Sequence, residues 1–197
     1  MKNISLIKSL ALYCGIGYFN SFMSINVINP LKHQPPLPDF LFDYLPKISD
    51  WIPHGMLFLM TIYFLYQNYH NTPVLVKTYN RITFLFCLRV LTFVSTPLPP
   101  SLPGCISREP DESLHWDLLS DLIKSRDNTC LDMMFSGHAT HLTAFSIICW
   151  EKANRQHKIW IATFTTIGLI SIVSSHLHYT ADVLVAIFLT YLTFLIY

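Results

Sequence analysis

The chain has 197 residues, of which 52% are hydrophobic, 14% aromatic and 13% charged, and its mean hydropathy is +0.39. Soluble domains carry roughly 25% charged residues, so this composition argues against a soluble globule, and its hydrophobicity excludes a disordered chain. Thirteen Lys and Arg against twelve Asp and Glu leave a formal net charge of +1. Because no run of like charge occurs, the chain lacks the basic patch with which proteins bind nucleic acid.

Six apolar windows approach the roughly 17–25 residues that a helix needs to cross a bilayer. They cover residues 5–28, 54–70, 79–97, 133–151, 158–176 and 179–197. No small-residue cleavage site follows the first window, so we expect a retained helix there rather than a secretory signal. Since the windows use nearly the whole chain, we predict an all-α polytopic membrane protein. It would be a six-transmembrane-helix bundle that forms a single membrane domain over residues 1–197.

Acidic and basic residues divide between two sets of connections. The long connections, residues 29–53 and 98–132, contain ten of the twelve acidic residues. The amino terminus and the short connections contain seven basic residues: Lys2, Lys8, Lys77, Arg81, Lys152, Arg155 and Lys158. Short basic loops mark the cytoplasmic side, so we predict cytosolic termini and long connections on the exoplasmic or lumenal face. The pattern leaves the organelle and a homo-oligomeric state open.

The second long connection carries two further features. Leucines and one isoleucine recur at helical spacing over residues 111–124, which predicts a short amphipathic helix in the membrane interface. Cys105 and Cys130 lie in this same connection, and an oxidising compartment would allow them to form a disulfide. Two free thiols are the alternative. The other cysteines fall inside apolar windows, where a thiol behaves as a small apolar side chain.

Ionisable side chains inside spanning segments are costly and are therefore functional candidates. His138 lies near the start of the fourth window, and His178 and Asp182 lie near the start of the sixth. On the predicted topology both places are at the exoplasmic face. Residues four apart on a helix stand one above the other, so Asp182 could accept the Nδ1 hydrogen of His178 and leave Nε2 as a nucleophile. The alternatives are a structural ion pair and a histidine that bonds a neighbouring helix.

Four ordered motifs resemble those of a known enzyme family. Ser136-Gly137-His138, followed by His178-Tyr179-Thr180-Ala181-Asp182-Val183, resembles the sphingomyelin synthase family, a branch of the membrane phosphatidate phosphatase superfamily. Two upstream segments also match: Pro35-Pro36-Leu37-Pro38-Asp39 with Phe42-Asp43-Tyr44, and Arg89 with Thr92 and Ser95-Thr96-Pro97-Leu98-Pro99. Cys130-Leu131-Asp132, which leads into Phe135-Ser136-Gly137-His138, extends the match of that motif. The resemblance covers about residues 10–197, with a catalytic core at about residues 75–197.

The resemblance implies a transferase that moves a phospholipid head group, phosphocholine above all, from a glycerophospholipid to ceramide and releases diacylglycerol. His178 would attack phosphorus and form a phosphohistidine, and Asp182 would orient its ring. His138 would protonate the leaving oxygen and then deprotonate ceramide. Arg89 is the candidate for positive charge at the phosphate. The substrate-binding set is Arg89, Ser136, Gly137 and Tyr179, and the family needs neither a metal nor another cofactor.

Two departures from the family pattern bear on activity. Ser171-Ile172 stands where the wider superfamily has a Ser-Arg pair, which favours the synthase branch over a simple phosphatase. Leu177 stands where the family often has Glu, which leaves the reaction rate and the choice of donor lipid open. The alternatives are a lipid phosphate phosphatase or phospholipase C with water as acceptor, and a non-enzymatic scramblase or channel. A metalloenzyme could use imidazole and carboxylate ligands from His138, His141, His176, His178 and Asp182.

Overall fold

The computed structural model describes residues 2–26, 31, 34–102 and 133–196. This part of the chain is all-α, as the sequence predicts, and contains seven helices. They are α1 (Lys2–Asn26), α2 (Phe40–Tyr44), α3 (Trp51–Asn68), α4 (Thr72–Ser95), α5 (Gly137–Lys152), α6 (Arg155–Ser174) and α7 (Thr180–Ile196). The predicted amphipathic helix at 111–124 and the Cys105–Cys130 pair lie outside the described residues.

Capping side chains set the helix ends that hydropathy could not locate. The Asn71 side chain accepts a hydrogen bond from the Val74 N–H, so α4 begins before its apolar window. The Ser136 side chain accepts from the Ala139 N–H, so α5 begins after the start of its window. Asp39 caps the short helix α2 through the Leu41 N–H. Short polar side chains satisfy N–H groups that lack partners at a helix start.

Helix α5 is the centre of the bundle and packs against α3, α4, α6 and α7. Its buried residues lie on all sides of the helix, as expected for a helix without a lipid-facing or water-facing stripe. The Phe145 ring stacks on Phe64 of α3, with ring centroids 4.4 Å apart. A Cβ on Gly168 of α6 would lie 2.5 Å from Leu142 Cδ2, so the glycine lets α6 approach α5 closely.

Helix α1 packs chiefly against α4, and a polar contact also joins it to the central helix. The Tyr13 hydroxyl lies 2.7 Å from Nε2 of His141, and His141 Nδ1 lies 2.8 Å from the Gly137 carbonyl oxygen. Since a carbonyl only accepts, Nδ1 carries the hydrogen and Tyr13 donates to Nε2. His141 therefore ties α1 to the first turn of α5.

One described helix, α6, has the length and the apolar composition to cross a membrane, and α7 is apolar but only 17 residues long. Large apolar side chains are exposed on the outer faces of several helices. On α3 and α7 they include Phe58, Leu59, Ile62, Tyr66, Leu184, Phe188, Tyr191 and Leu195. Exposed apolar surface of this extent is typical of proteins that contact lipid or a partner.

Three connections meet at one end of the bundle. The Ile48 N–H donates to the Ser174 carbonyl oxygen at 3.2 Å, which joins the segment before α3 to the end of α6. The Ser101 hydroxyl donates to the His176 carbonyl oxygen at 2.7 Å, which joins the segment after α4 to the α6–α7 connection. The histidines and the carboxylate singled out in the sequence lie at this end.

Candidate active site

Asp182 and His178 form a buried pair at the start of α7. The Asp182 Oδ2 lies 3.3 Å from His178 Nδ1, and their side chains are 1% and 6% exposed. Because an ionised carboxylate only accepts, His178 carries its hydrogen on Nδ1 and Nε2 has the lone pair. Within the described residues, Nε2 has no hydrogen-bond partner. The expectation that both residues lie on one helix is wrong, since α7 begins at Thr180 and His178 precedes it.

The same carboxylate also fixes the backbone on either side of the site. Asp182 Oδ2 accepts from the Tyr179 N–H at 3.2 Å, so the aspartate caps the helix on which it lies. Its Oδ1 accepts from the Met134 N–H at 3.0 Å. Met134 has a φ of 102°, which is costly for a residue with a side chain. Asp182 therefore holds the segment before His138 in a conformation that the chain alone would avoid.

His138 lies in the first turn of α5, half-buried, on the same side as the His178 pair. Its ring contacts that of His54 edge to face, with centroids 4.6 Å apart and planes at 72°. It lies within electrostatic range of His178, His141 and Arg89 as well. The structure thus brings together the three residues predicted to be catalytic. Nothing in the sequence singles out His54, because a single histidine at the edge of an apolar window has no motif around it.

The Arg89 side chain is buried against the first turn of α5. Its Nε donates to the Phe135 carbonyl oxygen at 2.8 Å, and a terminal nitrogen donates to Asn20 Oδ1 at 3.4 Å. A Cβ on Gly137 would lie 3.8 Å from the Arg89 Cζ. The guanidinium is therefore close behind Ser136-Gly137-His138, and at least two of its hydrogen bonds hold the protein together.

Ser136 has a capping role that its motif did not predict. Its side chain accepts from the Ala139 N–H at 3.2 Å, and its own N–H donates to the Asp182 carbonyl oxygen at 3.2 Å. The residue is fully buried. Ser136 therefore joins the start of α5 to the start of α7, and this keeps His138 near His178.

Tyr179 joins three segments through its hydroxyl. The hydroxyl accepts from the Leu37 N–H at 3.0 Å and donates towards the Pro99 and Pro100 carbonyl oxygens at 3.0 and 3.2 Å. Burial raises the pKa of this phenol, so it stays a donor at neutral pH. These partners leave the hydroxyl little capacity for a substrate, although the sequence predicted substrate binding by Tyr179.

The Pro35–Asp39 motif packs directly on the His178 motif. Asp39 Oδ2 accepts from the Thr180 N–H, and Oδ1 accepts from the Thr180 hydroxyl, both at 2.6 Å. The Phe42 ring stacks on His176 with centroids 4.0 Å apart. Burial, and then Lys47, lower the pKa of His176, so this ring is neutral at pH 7. Two motifs far apart in sequence therefore form one structural unit beside His178.

The positions of the histidine and carboxylate side chains also concern the alternative that this site binds a metal ion. Both ring nitrogens of His141 are used within the protein, by Tyr13 and by the Gly137 carbonyl, so His141 as placed offers no ligand atom. In the part of the chain that the structure describes, no group of three or more His, Cys, Asp or Glu is placed to share a metal ion.

Comparison with known proteins identifies relatives for the whole chain. Residues 129–197 match the family model described as PAP2 superfamily C-terminal. Sphingomyelin synthase-related 1 of Caenorhabditis elegans is 31% identical over 100% of this chain and 45% of that protein. Sphingomyelin synthase-related protein 1 of Homo sapiens is 28% identical over 91% of this chain and 48% of that protein.

A third relative is phosphatidylcholine:ceramide cholinephosphotransferase 1 of C. elegans, 26% identical over 78% of this chain and 38% of that protein. The chain spans about half the length of the curated relatives it matches. Residues 129–197 are therefore similar to the PAP2 superfamily C-terminal domain, and over nearly its full length the chain is a distant homologue of proteins named sphingomyelin synthase-related and ceramide phosphotransferase.

Proposed function

We propose that the chain transfers the phosphocholine head group of a glycerophospholipid to ceramide through a phosphohistidine on His178. The observation that carries this proposal is the His178–Asp182 pair. The buried carboxylate holds Nδ1 at 3.3 Å, and Nε2 has no hydrogen-bond partner in the described residues. A histidine fixed in this tautomer by a carboxylate is suited to nucleophilic catalysis.

In the first half-reaction, Nε2 of His178 attacks phosphorus and the bond from phosphorus to the diacylglycerol oxygen breaks. Protonated His138 gives its proton to that oxygen, so diacylglycerol leaves as an alcohol. Asp182 stabilises the positive charge that the His178 ring gains when Nε2 is bonded to phosphorus. Arg89, behind the Ser136–His138 turn, supplies positive charge near the equatorial oxygens.

In the second half-reaction, neutral His138 accepts the proton of the primary hydroxyl of ceramide. The ceramide oxygen attacks phosphorus, and the bond from phosphorus to His178 Nε2 breaks. The site returns to its first state, with His138 protonated and His178 free. The two bulky lipids use one pocket in succession, which avoids placing both in line at the same phosphorus.

We also propose that the six long helices span a membrane with the site at the exoplasmic face. These helices have 25, 18, 24, 16, 20 and 17 residues. At about 1.5 Å per residue their lengths are roughly 24–38 Å, which is comparable to the ~30 Å hydrocarbon core. The division of acidic and basic residues between the connections supports the orientation.

The direct test supplies purified protein in detergent with fluorescent ceramide and one donor at a time: phosphatidylcholine, phosphatidylethanolamine or phosphatidylinositol. We expect phosphocholine-ceramide and an equal amount of diacylglycerol, identified by mass, and no product from the His178→Ala variant. Release of free phosphocholine without ceramide would instead identify a hydrolase. Loss of activity in the presence of a chelator would favour the metalloenzyme alternative. Movement of lipid across the membrane without any chemical turnover would favour a scramblase.

A further inference from the structure

His54 is the side chain whose ring lies against His138. The two residues belong to α3 and α5, which pack together, and their ring centroids are 4.6 Å apart with planes at 72°. An edge-to-face arrangement is a favoured geometry for aromatic rings. The contact restricts rotation of the His138 ring about its side-chain bonds.

His54 is itself held in place. Its Nδ1 lies 2.6 Å from the Asp50 carbonyl oxygen, which can only accept, so Nδ1 carries the hydrogen. This bond lies within the first turn of α3, where the backbone begins a helix of 18 residues. A ring fixed at the end of a packed helix provides a rigid surface for its neighbour.

The two catalytic histidines proposed above are held differently. His178 has a carboxylate on Nδ1. The His138 ring makes no hydrogen bond within the described residues, and among them its ring contact is with His54. A group that first donates and then accepts a proton at the same oxygen position has to keep its ring orientation between the two steps.

We propose that His54 is a positioning residue for His138, which holds the imidazole towards the oxygen that leaves and then enters at phosphorus. This role rests on the proposed function. It assigns to α3 a part in the chemistry, although α3 contains neither of the two histidine motifs. The hydrogen bond to Asp50 helps to place the His54 ring, but the ring itself makes the contact with His138, so the role requires an aromatic ring at this position.

Three variants separate these properties. His54→Phe keeps a ring without the hydrogen bond, His54→Asn keeps a donor for Asp50 without a ring, and His54→Ala removes both. The control is His157→Ala, an exposed histidine in the first turn of α6. Thermal unfolding in detergent is measured for each protein, so that only folded variants are compared.

Each variant is assayed with two donors that differ in their leaving group. Diacylglycerol needs a proton to leave phosphatidylcholine, whereas nitrophenolate leaves p-nitrophenyl phosphocholine without one. With phosphatidylcholine we expect kcat to fall about 10- to 100-fold in His54→Asn and His54→Ala. Their KM should stay within about twofold of the wild-type value. With the nitrophenyl donor we expect the rate of His178 labelling to fall less than about threefold. His54→Phe and His157→Ala should stay within about threefold of wild type with both donors.

Three results would each overturn the positioning role while the proposed function stands. The first is a wild-type rate in His54→Ala with phosphatidylcholine. The second is an equal loss of rate with both donors. The third is a loss of rate in His54→Phe as large as in His54→Asn. A wild-type protein that forms neither phosphocholine-ceramide nor labelled His178 would overturn the proposed function itself, and the role of His54 with it.

Discussion

The Asp39 carboxylate holds Thr180 by two hydrogen bonds of 2.6 Å, one from its backbone N–H and one from its hydroxyl. Oδ1 also accepts from the Leu41 N–H at 3.0 Å. One carboxylate therefore caps α2 and satisfies an N–H at the start of α7. Because Thr180 lies between His178 and Asp182 in sequence, the first long connection controls the geometry of the proposed nucleophile.

Removal of this carboxylate should weaken both folding and activity. For Asp39→Ala we expect a loss of about 1–3 kcal/mol in the free energy of unfolding, because the Thr180 and Leu41 N–H groups lose their acceptor. Head-group transfer should fall at least about tenfold. Thermal unfolding and transfer rate are measured beside those of Asp43→Ala, which removes an exposed carboxylate in the helix that Asp39 caps. Equal behaviour of the two variants would contradict the role of Asp39.

Asp182→Asn should damage catalysis more than Asp39→Ala. The amide cannot supply the negative charge that orients His178 and stabilises its charged form, so we expect transfer to fall about 10²- to 10⁴-fold. Stability should also fall, since the Met134 and Tyr179 N–H groups lose a charged acceptor. Steady-state transfer rates and thermal unfolding test this together. An Asn variant with at least half of the wild-type rate would show that the carboxylate is structural only.

Arg89 variants separate charge from hydrogen bonding. Arg89→Lys keeps the charge, but one ammonium cannot reproduce the fork that reaches both the Phe135 carbonyl and Asn20. We expect Lys and Gln variants to lose similar stability, and the Lys variant to retain about tenfold more transfer activity because positive charge near the phosphate is kept. Arg155→Gln, at an exposed position, is the control. Equal activity of the Lys and Gln variants would leave Arg89 with a packing role alone.

Single cysteines test the topology. In a background without native cysteines, Gln34→Cys lies in the first long connection and Gln156→Cys near the start of α6, both at exposed positions. A membrane-impermeant maleimide added to intact vesicles of plasma-membrane orientation should label the first cysteine and reach the second only after permeabilisation. Labelling in the opposite order would invert the proposed orientation.

The sequence located the parts of the site that depend on local spacing. His178 and Asp182 lie close because they are four positions apart in the sequence, and either a helix or the observed turn brings an aspartate within reach of a histidine at that spacing. The residue at which α7 begins, however, depends on a capping hydrogen bond. The Asp182 carboxylate accepts the Tyr179 N–H, so α7 begins after His178 and not before it.

Contacts between distant segments could not be predicted in the same way. His54 contacts His138 only because α3 packs on α5, and apolar windows do not specify which helices are neighbours. The resemblance pointed to Asp39 and Tyr179, but not to the bonds that join Asp39 to Thr180 or Tyr179 to the Pro99 carbonyl. Those bonds depend on how two proline-rich connections fold against the bundle end.

Trapping is the most direct measurement of the proposed covalent intermediate on His178. Phosphatidylcholine labelled in its phosphocholine group is incubated with the protein without ceramide, and the protein is quenched in alkali and mapped by mass spectrometry. We expect an acid-labile phosphocholine adduct on His178 that disappears when ceramide is added, as phosphocholine-ceramide forms at the same rate. Head-group transfer at a near-normal rate by His178→Ala, without any adduct, would contradict it.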